Sequence, residues 1–205
     1  ESILYFGDTA RLPYGVKSRK LVIEYSNQIV KFLIKKNAKM IIVACNTATA
    51  MALEELNYNF KDIPIIGVID PGSMQASIDS INKRIGVIGT VATIKSGAYE
   101  YALKSIDSNI NVFSKDCPLF VPFVEEGMVE GEAIHLIVEH YLSSFKDKID
   151  TMILGCTHYP LLEPVIKEYV KDIKLVDSAS AVAKHADKIL NDRKIKNGYK
   201  KRSSL

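Results

Sequence analysis

The chain has 205 residues, 47% of them hydrophobic, enough to bury a substantial core as one large domain or two small ones. Its formal charge of +3 is the difference between 27 basic and 24 acidic residues interspersed along the chain, which excludes the clustered Lys/Arg face of a phosphate-backbone binder. No apolar run reaches the length needed to cross a bilayer, and the opening ESILYFGD has neither the basic flank nor the apolar centre of a signal peptide. A soluble, cytoplasmic protein is expected, with neither nucleic acid nor membrane as partner.

Taken in chain order, Leu21 to Lys36 carries apolar Leu21, Ile29, Phe32 and Leu33 at helical spacing. Two β-branched runs follow, Met40 to Val43 and Pro64 to Val68, and each reads as a buried strand. The segment IDPGS (Ile69 to Ser73) reads as a strand end passing into a helix N-cap. A third strand is predicted over Ile85 to Ile88, and a helix over Glu132 to Phe145 through Ile134, Ile137, Val138 and Leu142. Strands over Met152 to Leu154 and Lys174 to Val176 lead to DSAS (Asp177 to Ser180) as a second helix start, and to a final helix over Ser180 to Asn191. Strands alternating with helices predict an α/β fold with mostly parallel sheets.

One arrangement occurs twice. MIIVACNT (Met40 to Thr47) and TMILGCTH (Thr151 to His158) are each an apolar strand, a small residue, then Cys and polar residues before a helical pattern. Two pseudo-symmetric α/β subdomains are expected, with the active site in the cleft between them. Residues 1–69 together with 178–205 would form the first and residues 70–177 the second, the final helix returning to the first half.

The three cysteines, Cys45, Cys117 and Cys156, are odd in number and far apart, which fits neither a disulfide scaffold nor a zinc cluster. Cys45 and Cys156 fall beyond the carboxyl ends of predicted strands, where open α/β sheets collect ligands. A helix N-terminus there is expected to lower a thiol's pKa from about 8.5 and make each a candidate base or nucleophile. A lone buried cysteine is ordinarily inert, but inert filler need not recur in the same setting. Two thiols facing one molecule from opposite sides suit inversion of a carbon stereocentre, in which a base removes a proton from one face and an acid returns one to the other. Two other readings stay open: a cysteine hydrolase, with His158 beside one thiol and the second unexplained, and a non-catalytic amino-acid-binding module. Cys117, before Pro118 in an apolar segment, reads as structural, and the basic tail Arg193 to Arg202 as a solvated end.

At these residues the chain resembles the glutamate racemases, cofactor-independent two-cysteine enzymes that supply D-glutamate for bacterial peptidoglycan. The resemblance rests on YFGDTARLPYG (Tyr5 to Gly15), ACNTATA (Ala44 to Ala50), IGVIGTVATI (Ile85 to Ile94), CPLFVPFVEEG (Cys117 to Gly127) and LGCTHYPLL (Leu154 to Leu162), in family order. Related aspartate racemases usually carry His where this chain has Thr49, which favours glutamate. The resemblance implies that Cys45 deprotonates D-glutamate and Cys156 deprotonates L-glutamate, each protonating the carbanion made by the other. It implies that Tyr14, Gly15, Asn46, Thr47, Thr90, Thr93 and Thr157 hold the substrate's amino and carboxylate groups, that His158 assists Cys156 and contacts substrate, and that Glu125 influences protonation on that side. Glu126 is expected to be a solvated charge. No cofactor and no metal are implied; the expected partners are glutamate and a second copy in a homodimer.

The family opens with a strand and a Gly-rich DSGxGG turn, whose Asp assists the first cysteine, and usually continues past the last strand seen in this sequence. This chain has no counterpart to that turn, begins at Glu1 rather than Met and stops at Leu205. It reads as shortened at both ends, with the first strand of its first half missing and little racemisation expected from these residues alone.

Overall fold

A computed structural model describes residues 1–198. The remainder of the basic tail, 199–205, lies outside the described residues. Six strands and nine α-helices alternate through that region: α1 (Arg19–Lys35), β1 (Ile41–Val43), α2 (Asn46–Asn59), β2 (Ile65–Gly67), α3 (Ile69–Asp79), β3 (Arg84–Gly89), α4 (Val91–Lys95), α5 (Ala98–Ile106), β4 (Asn111–Asp116), α6 (Phe120–Glu125), α7 (Glu132–Leu142), β5 (Thr151–Gly155), α8 (Glu163–Val170), β6 (Lys174–Val176) and α9 (Ser178–Asp192). All described pairings are parallel: β1 with β2 in one sheet, and the order β4-β3-β5-β6 in the other.

The larger sheet explains why β3 and β5 read as unbroken apolar runs. Both of its faces are covered, so neither strand needs a polar side. Ile88, Met152 and Leu154 meet Phe120, Ile134, Val138 and Tyr159, while Ile85, Val87 and Ile153 meet Ile69, Ala76, Tyr99 and Leu103. The smaller sheet packs Ile41 and Ile65 beneath α1 and α2 through Val22, Val30, Ala52 and Leu56. On its other face Ile66 and Val68 meet Val182 and Ala186 of α9.

Three sequence expectations are corrected. β1 and β6 are not fully buried strands: Ile42 is exposed although its partner Ile66 is covered by α9, and only Val176 of β6 is buried. β4 has no counterpart in the apolar pattern, since NVFSKD is an edge strand with one half-solvated side. The second thiol motif does not lead directly into an α-helix: after β5 comes a turn and a short 3-10 stretch, Tyr159–Leu162, before α8. Pro160 and Pro164 fit this stepwise entry, since proline is tolerated in a first helical turn where its missing N–H has no partner to lose.

Candidate active site

The carboxyl ends of β1, β3 and β5 deliver the candidate residues. Val43 at the end of β1 is followed by Cys45, the N-cap of α2, whose carbonyl accepts from the Thr49 N–H at 2.9 Å. Thr49 is also the clamp of this corner. Its hydroxyl donates to the Val43 carbonyl at 2.9 Å and accepts from the Val68 N–H at 3.4 Å, and a Cβ on Gly67 would fall 2.2 Å from its methyl. Packing this tight leaves no room for a larger side chain at either position.

Cys45 keeps part of its surface open, yet the protein atoms crowded around the sulfur dominate its titration. Burial pushes its thiol up, against the Ala48 and Thr47 N–H groups and the Thr47 hydroxyl, which pull it down. Cys156, at the end of β5, is buried and is pushed up to about 12 by burial. The His158 and Tyr159 N–H groups and the Thr157 hydroxyl oppose that shift, and the nearby Cys45 charge adds to it. The expectation that helix N-termini lower both thiols is therefore overturned: the donors are present, but desolvation outweighs them in both cases.

Beside Cys156 stands a chain of three groups. His158 Nδ1 lies 3.7 Å from the Cys156 sulfur, and His158 Nε2 lies 2.5 Å from Glu125 Oε1. A carboxylate accepts, so the Nε2 position carries a proton, and Nδ1 is the nitrogen turned toward the thiol. Glu126, next in the chain, is exposed to solvent.

Across the gap between the sheets the hydroxyls of Thr47, Thr90 and Thr93 form a closed triangle with sides of 3.0, 3.1 and 3.0 Å. Thr90 is the N-cap of α4, its oxygen accepting from the Thr93 N–H at 3.2 Å. Gly15 presses against it, since a Cβ there would fall 2.7 Å from the Thr90 Cβ. Tyr14 is buried and its hydroxyl donates to Asp8, which also accepts from Arg11 Nε at 2.8 Å. The structure thus brings Gly15, Asn46, Thr47, Thr90 and Thr93 into one neighbourhood, and Thr157, exposed, sits beside the second thiol.

Cys117 is fully buried in the apolar cluster that also holds Cys156. Its carbonyl accepts from the Tyr159 hydroxyl at 3.0 Å, and burial drives its thiol well above the usual range. Sequence reasoning missed Tyr99, whose hydroxyl donates to Asn46 Oδ1 at 2.5 Å. The signal available was general: a Tyr inside an apolar helical pattern must find a partner for its hydroxyl once buried. Among the described residues no group of three or more His, Cys, Asp or Glu side chains is placed to hold a metal ion, and no helix is long and apolar enough to cross a membrane.

Solved structures share this architecture. A glutamate racemase from Francisella tularensis, solved in complex with D-glutamate, superposes with a TM-score of 0.89 at 43% identity, over 96% of this chain and 73% of that one. The glutamate racemase from Aquifex pyrophilus superposes with a TM-score of 0.80 at 50% identity, over 91% of this chain and 73% of that one. In sequence, the glutamate racemase of Aquifex aeolicus is 54% identical over 182 residues, which are 89% of this chain and 70% of that relative. The model of the Asp/Glu/Hydantoin racemase family matches residues 4–186. The chain belongs to the Asp/Glu/Hydantoin racemase family.

Proposed function

We propose that the chain is a glutamate racemase, an isomerase that interconverts L- and D-glutamate with two thiols acting on opposite faces of Cα. The observation that carries this reading is the placement of Cys45 and Cys156 at the strand ends of two different sheets, bridged by the Thr47–Thr90–Thr93 triangle. The names of the relatives, and the D-glutamate complex of one of them, supply the substrate.

In this reading Cys45 removes the proton from D-glutamate and Cys156 from L-glutamate, and the opposite thiol returns one. Thr47, Thr90, Thr93, Thr157, the Asn46 amide and the Tyr14-Gly15 backbone supply the donors that hold carboxylate and amino groups. His158 assists Cys156 and contacts substrate, and Glu125 keeps its ring in the tautomer that accepts the thiol proton. Ionising a thiol at about 12 costs ~5 kcal/mol near pH 8, so the site must offset that cost before chemistry begins. The substrate's ammonium contributes, because an opposite charge within about 4–6 Å favours the thiolate, and His158 contributes by taking the proton. No electron-sink cofactor enters this scheme, so the carbanion depends on preorganised hydrogen bonds in a site that excludes water.

The same proposal includes the division into residues 1–69 with 178–205 and residues 70–177, supported by the two separate sheets and by α9 packing on β2. It places the enzyme in the cytoplasm as a homodimer that supplies D-glutamate for peptidoglycan. One observation favours a second reading: Cys156, His158 and Glu125 form a nucleophile–base–orienter chain of the kind a cysteine hydrolase uses. That reading leaves Cys45 without a task.

The deciding experiment follows Cα by proton NMR with the full-length protein and either enantiomer in deuterated water. Racemisation is expected to replace the Cα proton and invert the centre. Binding without exchange would leave a non-catalytic module, and a trapped acyl group on Cys156 would leave the hydrolase.

A further inference from the structure

We propose that Tyr99 is a positioning residue that holds both thiol loops, orienting the Asn46 side chain with its hydroxyl and bracing Gly155 with its ring. Asn46 follows Cys45, and Gly155 precedes Cys156, so one side chain reaches the neighbour of each sulfur. Tyr99 is 2% exposed and belongs to α5, which packs on the larger sheet. Its hydroxyl crosses to the first residue of α2, which packs on the smaller sheet, and donates to Asn46 Oδ1 at 2.5 Å. Asn46 itself is buried, which makes the choice of amide orientation costly to reverse.

A phenol carries a single proton and gives it to the amide oxygen. The Nδ2 donors of Asn46 are then the end turned toward a ligand, which suits a carboxylate. On the other side, a Cβ on Gly155 would fall 3.1 Å from Tyr99 Cε2 and 2.5 Å from the Ile88 carbonyl, so the ring packs directly on the backbone that leads to Cys156. Burial holds the Tyr99 phenol well above its usual range, which keeps it a donor under all ordinary conditions. Tyr99 and the threonine triangle are independent ties across the same gap: one fixes Asn46, the other Thr47.

The ligand side of this inference rests on the racemase reading; the holding of the loops does not. Tyr99→Phe keeps the ring against Gly155 and removes only the hydroxyl. In the full chain, calorimetric titration is expected to show Kd raised about tenfold for D-glutamate and for L-glutamate alike, with the melting temperature within about 3 °C of wild type. Adding Asn46→Ala to Tyr99→Phe is expected to cost less than about twofold more, because the two residues act as one unit. Wild-type affinity in Tyr99→Phe, or losses that multiply in the double variant, overturn the proposal.

Mass mapping of iodoacetamide alkylation decides the same point without substrate. Release of Asn46 beside Cys45 is expected to raise the Cys45 rate at least about threefold, with Cys117 unreactive throughout; an unchanged Cys45 rate overturns the proposal. A wild-type chain that binds neither enantiomer defeats the racemase reading alone, and the alkylation rates then decide for or against the role of Tyr99. Should Tyr99→Phe fail to fold, NMR of the wild type serves: the Asn46 amide protons are expected to exchange slowly from a fixed orientation, and free rotation overturns the proposal.

Discussion

Glu125, the last residue of α6, accepts a hydrogen bond from His158 Nε2 at 2.5 Å, and so decides which nitrogen of that ring faces Cys156. Glu125→Gln removes the charge and keeps the shape. An amide can present either an oxygen or an NH₂ group to the ring, so the tautomer is no longer imposed. Racemisation is expected to slow by about tenfold to a hundredfold. Enantiomers are equal in energy, so kcat/KM must fall by the same factor in both directions. The asymmetry emerges in the isotope effect: deuterium at Cα is expected to slow the reaction more with L-glutamate, which hands its proton to Cys156, than with D-glutamate. Equal isotope effects in the variant would count against the assignment of His158 and Glu125 to the Cys156 side.

Replacing either thiol is expected to abolish inversion while leaving one half-reaction. With Cys45→Ser, Cys156 still removes and returns a proton on one face, so L-glutamate gains solvent deuterium and D-glutamate does not. Cys156→Ser shows the mirror preference. An L-substrate analogue bearing a β-leaving group is expected to eliminate in the first variant and not the second. A hydrolase behaves otherwise, with Cys45→Ser nearly silent and Cys156→Ser inactive. Loss of the same enantiomer's exchange in both variants defeats the two-face assignment.

The pH dependence follows from the raised thiols. Burial is the largest influence on Cys156, which sits at about 12, and on Cys45. In the ligand-free protein, alkylation of Cys156 is expected to quicken about tenfold per pH unit through the range of roughly pH 7.5–10, without levelling. A plateau near the ordinary thiol range, about 8.5, contradicts the burial argument. Stability moves the other way. A thiol raised in the folded state holds its proton where the unfolded chain has released it, so the contribution is full below the unfolded value and is lost as pH climbs toward the folded one. Urea midpoints are therefore expected to fall from about pH 9 upward. Cys117→Ala is expected to make that decline shallower, since its own raised thiol is removed.

Gly15→Ala tests the contact that holds the Tyr14-Gly15 turn against Thr90 and its hydroxyl cluster. The new Cβ would fall 2.7 Å from the Thr90 Cβ, so the turn or the α4 N-cap must shift. A loss of about 1–3 kcal/mol in stability is expected from such overpacking, with KM raised more than kcat is lowered. Unchanged KM would separate Gly15 from the binding site.

The elements most legible in the sequence are those whose environment is written into their own residues. β3 and β5 are sandwiched between helices, so nearly every position is apolar, and the run itself announces the strand. Cys45 and Cys156 stand out as candidates because small and polar residues follow an apolar run at the strand end in both cases. β4 stays hidden, since an edge strand with a half-solvated side has no such run. Local patterns cannot place Glu125 against His158, 33 residues away, or close the threonine triangle across 43 and 46 residues. Nor can they weigh the thiols. A helix N-terminus is a local feature that sequence displays, whereas desolvation depends on how many distant atoms crowd the sulfur, and here that long-range sum wins. Tyr99 marks the same boundary: its burial is a matter of helical period, but its grip on Asn46 and Gly155 exists only once α5, α2 and β5 are packed together.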